Sequence, residues 1–427
     1  MATARKVLWG LALAGLVAAL TAAGTGHGSF VGPALLVFFA GLALSSRGHA
    51  VLKNYAFTFW VFVFVAASMS YPVVFGKWFG FDLKFLIVPL IQIIMFGMGT
   101  TLSVGDFGRV LAMPWPVLVG MVLQYTVMPF VGFGLAWTFG FEPEIAAGLV
   151  LIGSAPGGVA SNVINYLARC NVPLSVTMTA FSTMISPVMT PLMMKILAGR
   201  MVEVKFMNMM IDIFNMIIVP IVAGLVANRI LYGRHPLWQR GGALLGVAAA
   251  SLAATVGIGL VPPGVLGGVK SGLMVGFAMV AIVALAKMVV EVVLAGPKNW
   301  MDRTLPILSM TAICCIIAII TARSSSDLKR VGLALLAAAM LHNLIGYFLG
   351  YWGARALRLN VVDARTVAVE VGMQNGGMAS GLAMNTLHSM KAALAPAIFG
   401  PWQNVSGSIL ASWWRSRPAP ANPEKAA

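Results

Sequence analysis

Apolar positions along the chain gather into long runs, separated by short stretches that hold most of the charge. Many runs approach the roughly 20 residues a helix needs to cross a hydrocarbon core. Their spacing predicts about 14 membrane segments, near 7–24, 29–46, 56–75, 83–103, 114–139, 145–168, 173–198, 206–229, 242–262, 271–295, 304–322, 331–356, 366–387 and 393–413. Glycine and proline lie inside several of them, as membrane helices allow.

Two segments are interrupted in the same way. From Gly153 to Asn162 the chain reads GSAPGGVASN, and from Glu370 to Ser380 it reads EVGMQNGGMAS. Glycine pairs beside Pro156 or Asn375 open a helix, because proline removes a ladder bond and glycine admits unusual backbone angles. In lipid the freed N–H and C=O groups must be used. Matched breaks in two halves of a chain point to a binding site built from half-helix ends and unwound carbonyls.

The polar residues near the breaks carry the candidate chemistry. Glu370 stands directly before the second break with no Lys or Arg beside it on its helix face, so its charge calls for a proton or a bound cation. Gln374 and Asn375 offer neutral oxygens. After the first break, Ser175, Thr179, Ser182 and Ser186 form one polar stripe at helical spacing, and Gln124 lies in the middle of an apolar run. One carboxylate among neutral oxygens, without thiolate or imidazole, suits a hard monovalent cation. Lys287 and Glu291, spaced i, i+4, read as a self-neutralising pair. Asp212 reads as an interfacial residue at a helix start, and His342 and Asn343 as interhelical packing contacts.

Composition supports the membrane reading: of 427 residues, 59% are hydrophobic and 9% charged, with mean hydropathy +0.92. The formal charge of +16 does not imply nucleic-acid binding, because the basic residues lie between apolar runs rather than in one patch. They are in excess on the loops that share a side with the N-terminus, which predicts both termini in the cytoplasm. Cys170, Cys314 and Cys315 lie in or beside apolar segments and make no disulfide or metal framework. The chain lacks HExxH, GxSxG and paired catalytic carboxylates, which excludes the familiar intramembrane enzymes. Arg5 and Lys6 precede an apolar run without an A-x-A cleavage site, and a second run follows at once. The expectation is a retained two-helix hairpin in a cell or bacterial inner membrane.

The stretch GSAPGGVASNVINYLARCNVPLSVTMTAFSTMISPVMTP resembles the signature region of the bile acid:sodium symporter family. EVGMQNGGMASGLA resembles that family's second crossover, while FGPWQNVSGSILASWWR and MFGMGTTLSVGDFGRVL resemble its last and second helices. The resemblance covers about residues 56–231 and 304–415. It implies an all-α polytopic membrane protein with a ten-helix inverted-repeat core (5+5) and two broken crossing helices, working by alternating access with two co-transported sodium ions. Residues 56–200 would be the first repeat, and 206–231 with 304–415 the second. Residues 1–50 and 235–300 would be two additional two-helix hairpins that extend the panel or form an oligomer surface, and 416–427 a cytoplasmic tail.

Carried over by residue, sodium site one would comprise Ser161, Asn162, Ser175, Thr179 and Glu370. Site two would comprise Gln124, Glu370, Gln374 and the carbonyls of Val371 and Met373. The substrate would approach Val159, Ala160 and Asn375. The family often has Thr where this chain has Val159, so one donor to an anionic substrate is missing. The implied partners are the lipid bilayer and a small organic anion, among them bile-acid-like steroids, pantoate and short keto or hydroxy acids. Two other readings compete: a membrane sensor that keeps the fold without net transport, and a proton-coupled carrier working through Glu370.

Overall fold

The computed structural model describes residues 2–46, 49, 52–233, 235–262 and 264–417. Most of the tail expected at 416–427 lies outside them. The described chain is helical almost throughout. Helices α1 (Ala2–Gly24) and α2 (Gly28–Ser46) pack along each other. Their backbones approach closely because Gly15 faces the Phe38 backbone and Gly41 faces Ala12, leaving no room for a Cβ at either place. Helix α2 packs on α3 (Ala56–Ser70).

The segment expected at 56–75 stops early, since Pro72 opens a 3₁₀ turn. A two-residue ladder of β1 (Lys77–Trp78) and β2 (Phe81–Asp82) then leads to α4 (Ile87–Thr101). Helix α5 (Val104–Ala112) is a short amphipathic piece that no apolar run announces, begun by a capping box between Ser103 and Asp106. It is followed by α6 (Pro114–Thr138), α7 (Pro143–Ser154), α8 (Ala160–Leu167) and α9 (Val172–Leu197). Helix α10 (Phe206–Ile213) runs through a π turn at Phe214–Ile218 into α11 (Val219–Tyr232).

Next come α12 (Gly241–Leu260) and α13 (Lys270–Lys287), which ends in a second π turn at Met288–Val293. The chain closes with α14 (Trp300–Arg323), α15 (Ser325–Ala356), α16 (Val361–Gly372), α17 (Gly376–Asn385) and α18 (Met390–Arg415). Ten described helical stretches are long and apolar enough to cross a membrane, and α3 and α7 are shorter apolar helices. Their exposed Leu, Val and Phe side chains are what a hydrocarbon-facing surface requires.

The helices form two packed groups. In one, α3 and α4 pack on α14, α4 on α11, and α13 on α11 and α12. In the other, α6, α7, α9, α15, α16 and α18 pack on one another, with α8 and α17 against α18. Lys287 is buried on α13 and its ammonium donates to the carbonyls of Ile230 (2.7 Å) and Leu231 (2.9 Å) at the end of α11, with Glu291 3.6 Å away. His342 and Asn343 also join helices: the His342 ring bonds the Met128 carbonyl on α6 (2.9 Å) and Asn343 donates to Gly372 O (2.8 Å). Asp212 is tied into the fold as well, accepting from the Thr386 hydroxyl at 2.7 Å.

Candidate functional site

Each interrupted segment is a pair of short helices around an extended piece. Helix α7 ends at Ser154 and α8 begins at Ala160; α16 ends at Gly372 and α17 begins at Gly376. The two extended pieces meet in an antiparallel bridge between Gly157 and Gln374. Gly158 N–H donates to Met373 O and Asn375 N–H to Pro156 O, both at 2.9 Å. Glycine is required here: a Cβ on Gly158 would come within 2.7 Å of the Gln374 carbonyl. The backbone groups freed by one break are thus taken up by the other.

Glu370, 1% exposed, lies beside this crossing on the last turn of α16. Its Oε1 accepts from the hydroxyls of Ser161 (2.6 Å) and Ser175 (2.5 Å) and from Asn165 Nδ2 (3.3 Å); its Oε2 accepts from Thr179 (2.8 Å). Asn162 Oδ1 closes the group, 2.7 Å from the Ser175 hydroxyl and 3.4 Å from that of Thr179, each of which has one proton to share between this oxygen and Glu370. The five side chains expected at site one are therefore neighbours, drawn from α8, α9 and α16. Glu370 makes no ion pair among the described residues. Arg365, on the same helix, turns away to stack on Trp414 and donate to Arg417 O.

Asn165 was not expected. It follows Ser161 by one helical turn on α8, a spacing that puts both on one face. Its amide donates to Ser175 as well as to Glu370, and its own oxygen is buried without a partner among the described residues.

The residues expected at site two form a second network. Gln124 Nε2 donates to Gln374 Oε1 (2.6 Å) and Ala155 O (3.0 Å), Gln374 Nε2 donates to Val371 O (2.6 Å), and Met373 O accepts from Gly158. Glu370 joins neither glutamine by a hydrogen bond among the described residues; its side-chain partners all belong to the first cluster.

Val159, Ala160 and Asn375 share the wall of a cavity of about 190 Å³. The opposite wall is apolar, with Phe57 and Val61 from α3, Met95 from α4 and Ile316 and Ile317 from α14. Asn375 caps α17 through its Oδ1, which accepts from Met378 N–H. The N–H groups of Ala160 and Gly377, in the first turns of α8 and α17, have no hydrogen-bond partner among the described residues and line the same cavity. First-turn N–H groups carry partial positive charge, so this end of the cavity favours an anion. No cluster of three His, Cys, Asp or Glu side chains occurs among the described residues. Oxygen donors without thiolate or imidazole match the chemistry of a hard cation rather than that of a transition metal.

The profile of the sodium bile acid symporter family matches residues 88–330. The chain belongs to this family. Members are transporters, not enzymes. The chain is 33% identical to the sodium-dependent transporter YocS of Bacillus subtilis, over 84% of this chain and 91% of that protein. It is 29% identical to the probable sodium/metabolite cotransporter BASS1 of Arabidopsis thaliana, over 77% of this chain and 66% of the plant protein. Among solved structures it is similar to the sodium proton antiporter MjNhaP1 of Methanocaldococcus jannaschii, with a TM-score of 0.48 at 14% identity over 90% of this chain and 98% of that one. That resemblance is too distant to bear on the site. Membership in the sodium bile acid symporter family and the ten long apolar helices make this a multi-pass membrane protein of a sodium-dependent transporter family.

Proposed function

We propose that the protein is a sodium-coupled symporter for a small organic anion, working by alternating access from a ten-helix core of two inverted five-helix repeats. The observation that carries this reading is the placement of Glu370. One buried carboxylate, surrounded by hydroxyl and amide groups and without an ion-pair partner among the described residues, lies beside the crossing whose helix N-termini line the cavity. A sodium ion taking the place of the hydrogen bonds at Glu370, with the hydroxyl hydrogens turned outward, would be held by Ser161, Asn162, Ser175, Thr179 and Glu370. A second ion at Gln124, Gln374 and the carbonyls of Val371 and Met373 would require the Gln124–Gln374 amides to turn their oxygens inward. An anion at Ala160, Asn375 and Gly377 would then meet positive charge through the crossing itself, which links its binding to that of the ions.

The cavity supports a small substrate. An apolar cavity of roughly 150 Å³ takes benzene, and this one measures about 190 Å³. A short carboxylate fits such a volume. The hairpins α1–α2 and α12–α13 contribute no lining residue to it, as panel extensions would not.

Uptake of short keto and hydroxy acids into proteoliposomes, with and without an inward sodium gradient, tests the reading. Uptake should require sodium and be lost in Glu370→Ala. Uptake that proceeds without sodium and survives Glu370→Ala would overturn it.

A further inference from the structure

The backbone around Gln374 is bonded on both sides. One side faces the first break through the Gly157 bridge. On the other side lies the side chain of Gln403, from α18, 29 residues later in the chain. Gln374 N–H donates to Gln403 Oε1 at 2.7 Å, and Gln403 Nε2 donates back to Gln374 O at 2.9 Å. The amide of Gln403 thus stands where a third strand would stand. Gln403 is 5% exposed and lines the cavity, yet both ends of its amide are taken by the backbone of one residue.

The first break has a counterpart. Gly157 N–H donates to the hydroxyl of Ser182 at 3.3 Å, from α9, 25 residues later. Helix α9 follows α8 as α18 follows α17. Each break is therefore braced by the next helix of its own half, the first by one bond and the second by two.

We infer that Gln403 is the positioning residue of the second break: its amide fixes the 374 peptide and thereby the placement of Gln374 and Asn375, which the sodium and substrate readings above require. Gln403 touches neither ion in this scheme. It sets the direction in which Gln374 meets Gln124 and in which Asn375 caps α17 at the cavity. An apolar residue of similar size leaves the buried Gln374 N–H without its partner and its C=O with only the Gly376 N–H (3.0 Å), and the backbone at 374 then turns to find others.

The test uses the full chain in detergent, with sodium chloride against choline chloride as the probe and thermal stabilisation as the signal. Gln403→Leu should raise the half-saturating sodium concentration by about tenfold, the equivalent of about one net hydrogen bond. A merely structural loss would lower the melting temperature in choline and leave the sodium half-saturation where it was, and that result would overturn the proposal. Gln403→Glu supplies the discriminating arm. Its protonated carboxyl offers one acceptor and one donor in the places of the amide, so its half-saturation relative to wild type at the same pH should recover on acidification. A defect equal at acid and neutral pH would refute the two-point clamp.

Hydrogen exchange of the peptide spanning 371–379 gives a readout independent of sodium: exchange should quicken in Gln403→Leu, and unchanged protection would overturn the clamp. Wild-type protein that ignores sodium while the variant quickens exchange would sink the sodium reading and leave the clamp standing.

Discussion

At the scale of single residues, the cluster around Glu370 is held by unequal bonds, and its members should differ in weight. Thr179 is the only side chain bonded to Oε2 among the described residues, whereas Oε1 has three partners. Removing the Thr179 hydroxyl leaves half the carboxylate without a donor and, in the sodium site proposed above, removes one ligand oxygen. Thr179→Ala is expected to raise the half-saturating sodium concentration about tenfold, from a loss of about 1–1.5 kcal/mol, while Thr179→Ser keeps the oxygen and stays near wild type. Sodium titration of thermal stability separates the two.

Most of this cluster could be read in the sequence. Ser175 and Thr179 share a helical stripe, and a lone carboxylate beside a glycine pair marks its own importance. Asn165 carried the same kind of signal, one turn from Ser161, but its neighbours Asn162 and Val163 mask any stripe. Gln403 carried no local signal, because its partner is 29 residues away and on another helix.

At the scale of elements, the decisive junction is the crossing of the two breaks. Gly158→Ala places a methyl against the backbone carbonyl of Gln374, which no side-chain rearrangement can relieve. Loss of both sodium-dependent stabilisation and uptake is expected, with a lower melting temperature in choline. Wild-type melting and uptake would show that the breaks do not need this contact.

A second junction lies outside the apolar spans, where Glu142 before α7 meets Lys391 on α18 (2.8 Å) and Arg330 on α15 (3.2 Å), with Asp327 3.8 Å from Lys391. The bond from Lys391, and its charge, hold the Glu142 carboxyl below the usual range. The bond to Glu142, with Asp327 adding its charge, raises the Lys391 ammonium above its own. The Glu142 contribution is complete above the ordinary carboxyl value of about 4.3 and is lost as pH falls through the lowered value. That of Lys391 is complete below about 10.4 and is lost as pH rises through the raised value. Glu142→Gln should therefore melt slightly below wild type at neutral pH, and the gap should close on acidification. A gap that persists in acid would assign the effect to packing.

The sequence pattern anticipated both breaks and a helix within each of the predicted segments. It missed α5 and the β1–β2 ladder because a hydropathy pattern of bilayer length averages over elements of nine and two residues.

At the scale of the whole molecule, the described chain is two helix groups that meet across an apolar wall and a polar tie between Asp212 on α10 and Thr386 after α17. The additional helices α12 and α13 belong to one group through the buried ammonium of Lys287, which caps the end of α11. Lys287→Met strands two carbonyls and the Glu291 charge, and should destabilise the protein by about 3 kcal/mol. Because Lys287 is remote from the crossing, the sodium half-saturation should not change; a shift in it would mean that these helices take part in ion binding.

The crossing has a mechanical consequence for the rest. Sliding along the apolar wall of α3 and α14 exchanges one set of dispersion contacts for another, so resistance there is low. Shearing one break past the other would leave peptide groups dry and unbonded, at a cost of several kcal/mol each. The molecule therefore has one stiff weld and one lubricated bearing, and the motion that the proposed alternating access requires would be steered to the bearing.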